Sequence, residues 1–232
     1  MSFRRKRRVA KEPEIVFGSR PSMLDMDVAL QRLAARRRVF HSEADLQFAL
    51  AWQIQNDHPA ADIRLETRPL PEKNLRLDLF VVMNGRRFAI ECKYLVRGID
   101  VTEAGERFLL RTQSAHDVRR YDTLKDVARV EEFLSLGVAD EGFVVAVTND
   151  AAYWKHASRP DTFDASFRMH EERIVQGRLA WADGTGAGSM KNREAAIDLK
   201  GSYRLTWRDF SSLGDGPASR FRSMLIKIPP EN

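Results

Sequence analysis

Apolar residues recur along the chain at distinct spacings, and each spacing predicts an element. Behind Ser42 and Asp45, placed like a capping box, Leu46, Ala49, Leu50, Gln53 and Ile54 recur at helical intervals and predict a helix over about 42 to 56. Residues 62 to 68 (DIRLETR) alternate Ile63, Leu65 and Thr67 with polar partners, as a half-buried strand does before the Pro69 to Pro71 break. Two apolar runs follow, joined by Asn84-Gly85, the strongest short-range signal for a hairpin with a two-residue type I′ turn. After a looser stretch, Val118, Tyr121, Leu124, Val127, Ala128, Val130 and Leu134 form the apolar stripe of a long helix that Gly137 stops. Residues 142 to 148 (GFVVAVT) are a continuous apolar run, the signature of a strand buried on both faces. A helix between two such strands predicts a right-handed parallel crossover. Beyond Asn149, residues 162 to 177 read as a helix, ADGTGAGSMKN as a flexible loop, and YRLTWRDF and MLIKIP as late strands.

The hairpin RLDLFVVMNGRRFAIECKYL (76 to 95) carries three charges that its apolar pattern does not call for. With Asn84-Gly85 as the loop, Met83 faces Arg86, Val82 faces Arg87, and continuing that register sets Asp78 directly opposite Glu91. Side chains so paired project to one face with Cβ atoms about 4.5 to 5.5 Å apart. Lys93, two residues beyond Glu91, points to that face as well. Leu77, Leu79 and Val81 then share the other face with Ile90, Cys92 and Tyr94. Two opposed carboxylates repel unless a cation sits between them or one takes up a proton, so the register predicts a metal site. The alternative is a half-exposed edge on which Lys93 merely neutralises the acids.

Composition changes this picture little. The 232 residues suit one large domain, and 43% hydrophobic with 31% charged residues describes a globular protein slightly rich in charge. No segment approaches the roughly 18 unbroken apolar residues of a membrane span, and the basic start has no apolar region behind it, so a cytoplasmic protein without membrane contact is expected. Cys92 is the single cysteine, which excludes an internal disulfide and a thiolate zinc cluster. The net charge of +5 is local: residues 1 to 20 hold seven basic against two acidic side chains, and the rest of the chain is balanced. Arg4, Arg5, Lys6, Arg7 and Arg8 form a like-charge run that suits a polyanion such as nucleic acid, or serves as a solubilising tail. Residues 1–20 are therefore read as a basic flexible tail and 21–232 as a single domain.

Asp78 followed, after a short hairpin, by Glu91-Cys92-Lys93 resembles the core motif of the PD-(D/E)XK nucleases, the restriction-endonuclease-like superfamily. Leu77 stands where the nominal proline of that motif would be. The order helix, three strands, helix, strand over about 42 to 148 is similar to the αβββαβ core of that superfamily. The resemblance implies an α/β fold, a mixed central sheet flanked by helices, with residues 149 to 232 as a C-terminal α+β elaboration. It also implies a catalytic set of Asp78, Glu91 and Lys93, and a metal held by Asp78, Glu91 and the Cys92 backbone carbonyl. Hard oxygen ligands of this kind suit Mg²⁺ or Mn²⁺. Such an ion acidifies a water and neutralises phosphate charge, and Lys93 would orient or deprotonate that water or stabilise the transition state.

Glu43, in the first turn of the first helix, matches where members of the superfamily place an extra acidic ligand, although the helix dipole alone favours an acid there. Gln113 and Tyr121 resemble a glutamine-and-tyrosine motif used beside the metal or the DNA backbone, at longer spacing, and Tyr121 falls on the apolar stripe, where core packing is its expected role. Arg119, Arg120 and Lys125, together with Arg129, are candidates for phosphate contact, set among Asp117, Asp122, Asp126 and Glu131 in a mixture that also reads as a solvated face. The five histidines show no metal-binding spacing, Cys92 reads as a small core hydrophobe, and no nucleotide-binding glycine loop is present. Two functions follow: a metal-dependent DNA endonuclease of a restriction, repair or phage-defence kind, acting as a homodimer as many members do, or a nucleic-acid-binding module that keeps the fold without turnover.

Overall fold

The computed structural model describes residues 23–73 and 75–230, so the arginine run at residues 4 to 8 lies outside the described residues. Two helices open the fold: α1 (Met26–Arg36), whose N-cap Asp25 accepts a hydrogen bond from the Val28 N–H, and α2 (Glu43–Asp57). Ser42 caps α2 by accepting from the Asp45 N–H at 3.2 Å, as the capping signal predicts, and Asp45 reaches back to the His41 N–H at 2.9 Å. Strands β1 (Asp62–Leu70), β2 (Leu75–Met83) and β3 (Arg86–Leu95) follow. Pro69 lies inside β1, tolerated because β1 is an edge of the sheet.

The turn between β2 and β3 has the expected form, with φ of 52° at Asn84 and 75° at Gly85, and the ladder runs from Met83↔Arg86 to Leu79↔Ile90. The stretch without a periodic signal folds into a second hairpin, β4 (Ile99–Glu103) and β5 (Glu106–Leu110), closed by Ala104-Gly105, both at positive φ. Helix α3 (His116–Ser135) then leads to β6 (Glu141–Thr148), which lies parallel to β3 with Glu91 beside Val144 and Lys93 beside Ala146. Helix, three strands, helix and strand are thus present in that order, with the small hairpin inserted before α3.

The C-terminal third differs from its sequence pattern. Residues 162 to 177 do not form a helix: they hold a 3₁₀ turn at 165 to 167 and the start of β7 (Ile174–Leu179), because Asp164, Arg168 and Arg173 turn inward to one another and to backbone carbonyls instead of lining a helix face. A four-residue helix α4 (Ala187–Met190) interrupts the expected loop, and strands β8 (Ile197–Arg204), β9 (Trp207–Ser212) and β10 (Arg220–Ile228) complete the chain. The central sheet has the order β1-β2-β3-β6-β10-β9, mixed in direction, so the C-terminal strands extend the same sheet. Helices α1 and α2 cover one face with Leu79, Ile90, Cys92 and Val145; α3 and the β7–β8 hairpin cover the other with Ala89, Val144 and Ala146. The molecule is α/β, and among the described residues no helix is long and apolar enough to cross a membrane.

Candidate active site

Sequence register sets Asp78 against Glu91, and here the strands depart from it. The β2–β3 ladder stops at Leu79↔Ile90, and Leu77 and Leu79, two residues apart, join opposite core layers. Irregularity is also present in the neighbouring strand. Glu66, between the paired Leu65 and Thr67 of β1, takes φ of 51°, and the β1–β2 register shifts before Leu70. Where β2 peels away, the Asp78 side chain replaces its backbone as acceptor: Oδ2 receives the Cys92 N–H at 2.7 Å.

The three charges of the hairpin meet two more elements. Glu91, fully buried, turns toward α3, where its Oε1 accepts from Arg129 Nε at 3.0 Å and its Oε2 lies 2.8 Å from Arg129 Nη2, out of line for a hydrogen bond. Arg129 Nη2 also donates to Asp126 Oδ1 at 2.7 Å. Lys93 Nζ sits 2.5 Å from Asp126 Oδ2 and 4.0 Å from Glu43 Oε1, and donates to the Cys92 carbonyl at 3.3 Å. Glu43 is fixed by the Tyr94 N–H, which it accepts at 2.9 Å from the first turn of α2. Glu43, Asp78, Glu91 and Asp126 therefore share two cations, Lys93 and Arg129, which leaves a formal charge of −2 when all are ionised.

The electrostatics follow from that excess. Burial, reinforced by Asp126 and Asp78, pushes the Glu91 carboxyl well up, and the Arg129 and Lys93 charges only partly oppose it. Burial also raises Glu43 and Asp126 against the pull of Lys93. Lys93 is disfavoured by burial, yet Asp126 and Glu43 outweigh this and hold its ammonium above the usual lysine range. With these partners Lys93 is a fixed cation near neutral pH and not a proton acceptor. Burial and the surrounding acids raise the Cys92 thiol, which is packed in the core as its small apolar character leads one to expect.

The donor chemistry fits a hard divalent cation: carboxylate oxygens, two of which, Glu91 Oε2 and Asp126 Oδ2, are buried and met only by the Arg129 and Lys93 charges. As placed, no three acidic, histidine or cysteine side chains among the described residues converge closely enough to hold an ion. Arg129 already stands between Glu91 and Asp126, and Lys93 between Asp126 and Glu43.

The remaining candidates separate. Arg119 and Lys125 are exposed on α3, with the Lys125 ammonium 5.9 Å from the Tyr121 ring centroid. Arg120 is a correction to its reading as a phosphate contact: it is buried, paired with Asp164 at 2.8 Å and donating to the Ala152 carbonyl, so its charge is used inside the fold. Gln113 precedes α3 with its backbone N–H on the Val96 carbonyl and a buried, unpartnered Oε1. Tyr121 packs in the core beside Phe167 and Trp181 and donates to the Ala195 carbonyl. Asn149 and Asp150 serve the chain turn, Asn149 accepting from the Arg97 N–H and Asp150 from the Ala152 N–H.

Asp126 was hidden in a run of alternating charge that reads as a solvated helix face, and Arg129, read there as a phosphate contact, is instead engaged with Glu91 and Asp126. The signal that marks Asp126 is its spacing: it falls three residues after the buried Thr123 and four before the buried Val130. A cavity of about 780 Å³ lies elsewhere, lined by α1 and β8–β10 residues such as Gln31, Tyr203 and Arg208, and touches none of the clustered acids. No protein family, curated protein or solved structure matches the chain.

Proposed function

We propose that the chain carries a restriction-endonuclease-like core and acts as a metal-dependent endonuclease on DNA phosphodiester bonds. One observation carries the reading: four carboxylates from α2, β2, β3 and α3 gather around Lys93 and Arg129, a formal surplus of two negative charges among the described residues when all are ionised. A buried surplus of that size is costly in a structural ion pair, whereas a divalent cation balances it. Asp78, Glu91 and the Cys92 carbonyl would hold the ion, with Glu43 as a further ligand. Mg²⁺ or Mn²⁺ bound there would supply positive charge to the phosphate and make a water more acidic.

The chain's own residues then have distinct tasks. Lys93, kept charged by Asp126, places an ammonium beside the scissile phosphate, where it stabilises developing negative charge and orients the attacking water. Asp126 positions Lys93 and does not touch substrate in this scheme. The basic run at residues 4 to 8 adds sequence-independent affinity for the phosphate backbone. Such a site suits restriction, repair or phage defence.

The test is incubation of the full chain with plasmid and labelled single-stranded DNA, with Mg²⁺, Mn²⁺ or chelator. Cutting is expected only with metal, and Asp78→Asn or Lys93→Ala should reduce it by about 10²-fold or more, the scale of losing one transition-state-stabilising group. Cutting that survives both substitutions would refute the site. Metal-independent binding without cutting on every substrate would favour a nucleic-acid-binding module on this fold.

A further inference from the structure

We propose that Arg129 is the resident counter-cation of the acidic cluster and competes with a divalent metal ion for Glu91. The inference rests on the metal-dependent reading above and goes further, because it names the residue that sets the affinity.

The geometry is a planar fork across two acids: Nε to Glu91 at 3.0 Å, and Nη2 to Glu91 and to Asp126 at 2.8 and 2.7 Å. A guanidinium fills such a bridge better than an ammonium, and the bridge occupies Glu91, one of the acidic ligand candidates. The two acids are asymmetrically placed relative to Arg129. Glu91 is fully enclosed, while the Arg129 side chain keeps 23% of its surface in solvent. Arg129 can therefore withdraw into water, and Glu91 cannot follow. Each acid also has one buried oxygen met by an ion pair alone, Glu91 Oε2 by Arg129 and Asp126 Oδ2 by Lys93. Mg²⁺ and Mn²⁺ demand several oxygen ligands in near-octahedral positions, which Glu91 joins only by turning off Arg129. The charge that remains with Arg129 in place attracts the ion, and release of Arg129 completes its binding.

The probe is Mn²⁺ itself, titrated calorimetrically into the full chain, with thermal unfolding measured in parallel with and without the ion. Arg129→Gln should bind Mn²⁺ at least about tenfold more tightly than wild type, a conservative figure for removing a unit charge that lies 2.8 to 3.0 Å from the Glu91 oxygens. Its metal-free unfolding midpoint should fall and be recovered by Mn²⁺, with a larger metal-induced shift than in wild type. Adding Glu91→Gln to Arg129→Gln should restore the metal-free midpoint and abolish the gain in affinity. Arg129→Lys, which keeps a charge but cannot bridge two carboxylates, should bind with intermediate affinity and gives the comparison if the glutamine variant does not fold. Wild type that binds Mn²⁺ with neither variant tighter overturns this inference alone. No Mn²⁺ binding by any form, together with no cutting, overturns the nuclease reading along with it.

Discussion

Asp78 has a structural task and, on the proposed nuclease reading, a chemical one, and two substitutions separate them. Its Oδ2 accepts the N–H of Cys92, a residue with no solvent exposure, at a point where β2 no longer offers a backbone acceptor. Asp78→Ala leaves that N–H buried and unpaired, which costs about 1 to 3 kcal/mol, with the upper part of the range expected because the lost acceptor is charged. Asp78→Asn keeps a carbonyl oxygen in the same place. It exchanges a charge-assisted bond for a neutral one, and it also relieves the repulsion that Asp78 exerts on Glu91. The two effects oppose, so Asp78→Asn should stay within about 1 kcal/mol of wild type. Urea unfolding followed by tryptophan fluorescence measures both, with an unchanged slope required for the midpoints to be compared. Both variants should be equally inactive in the cutting assay. If alanine and asparagine are equally stable to within about 0.5 kcal/mol, the Cys92 N–H does not depend on Asp78, and the account of how β2 ends is wrong.

Packing and pH give two further expectations. A Cβ on Gly142 of β6 would lie 2.1 Å from Val130 Cγ1 and 3.3 Å from Leu134 on α3, so Gly142→Ala should cost about 1 to 3 kcal/mol by overpacking. Because Val130 follows Arg129, the same variant should weaken metal-dependent cutting beyond its loss of stability; a variant as stable and as active as wild type would show that α3 is not seated on Gly142. Glu91 has a folded-state carboxyl raised above its ordinary value of 4.5, so it binds a proton more readily folded than unfolded, and its destabilising effect is absent below that value and grows as pH rises through it. In metal-free buffer, Glu91→Gln should therefore gain stability relative to wild type between about pH 4 and pH 7, as read from urea midpoints at each pH. A difference that does not change with pH would show that Arg129 fully compensates Glu91.

Local signals account for most of the sheet and for α2 and α3. Asn84-Gly85 set the β2–β3 register correctly over five residue pairs, because a two-residue turn fixes which residues face each other. The same rule failed at Asp78, where the ladder has ended at Leu79↔Ile90 and Leu77 and Leu79 join opposite core layers, a departure that no pattern within the hairpin contains. The stretch from 99 to 110 looked irregular because its strands are short and one face is largely exposed, and because Ala104-Gly105, although both residues take positive φ, lacks the Asn or Asp that marks such a turn in a sequence. Residues 162 to 177 misled for a different reason. Arg168 and Arg173 sit at spacings that a helix tolerates, but their guanidinium groups are bound to Thr162, Asp164 and the carbonyls of Ala165 and Ser166, which holds the chain in turns.

The acidic cluster shows where a one-dimensional pattern stops. Asp78, Glu91 and Lys93 were legible because one hairpin brings them together within sixteen residues, and Glu43 because a helix start is a local feature. Asp126 and Arg129 reach the same place only through the parallel pairing of β3 with β6, which seats α3 over Glu91 and Lys93. Their consequence is chemical as well as structural. With the hairpin acids alone, Lys93 lies among acids that it was expected to neutralise, and it remains free to exchange a proton. With Asp126 at 2.5 Å, Lys93 is held as a cation. On the proposed nuclease reading, the proton of an attacking water would then pass to another acceptor, and Lys93 would act through its charge. A rate that rises with pH and levels off well below the lysine range would agree with that assignment, whereas a rate tracking the deprotonation of Lys93, and lost in Lys93→Arg, would return the proton-accepting role to the lysine.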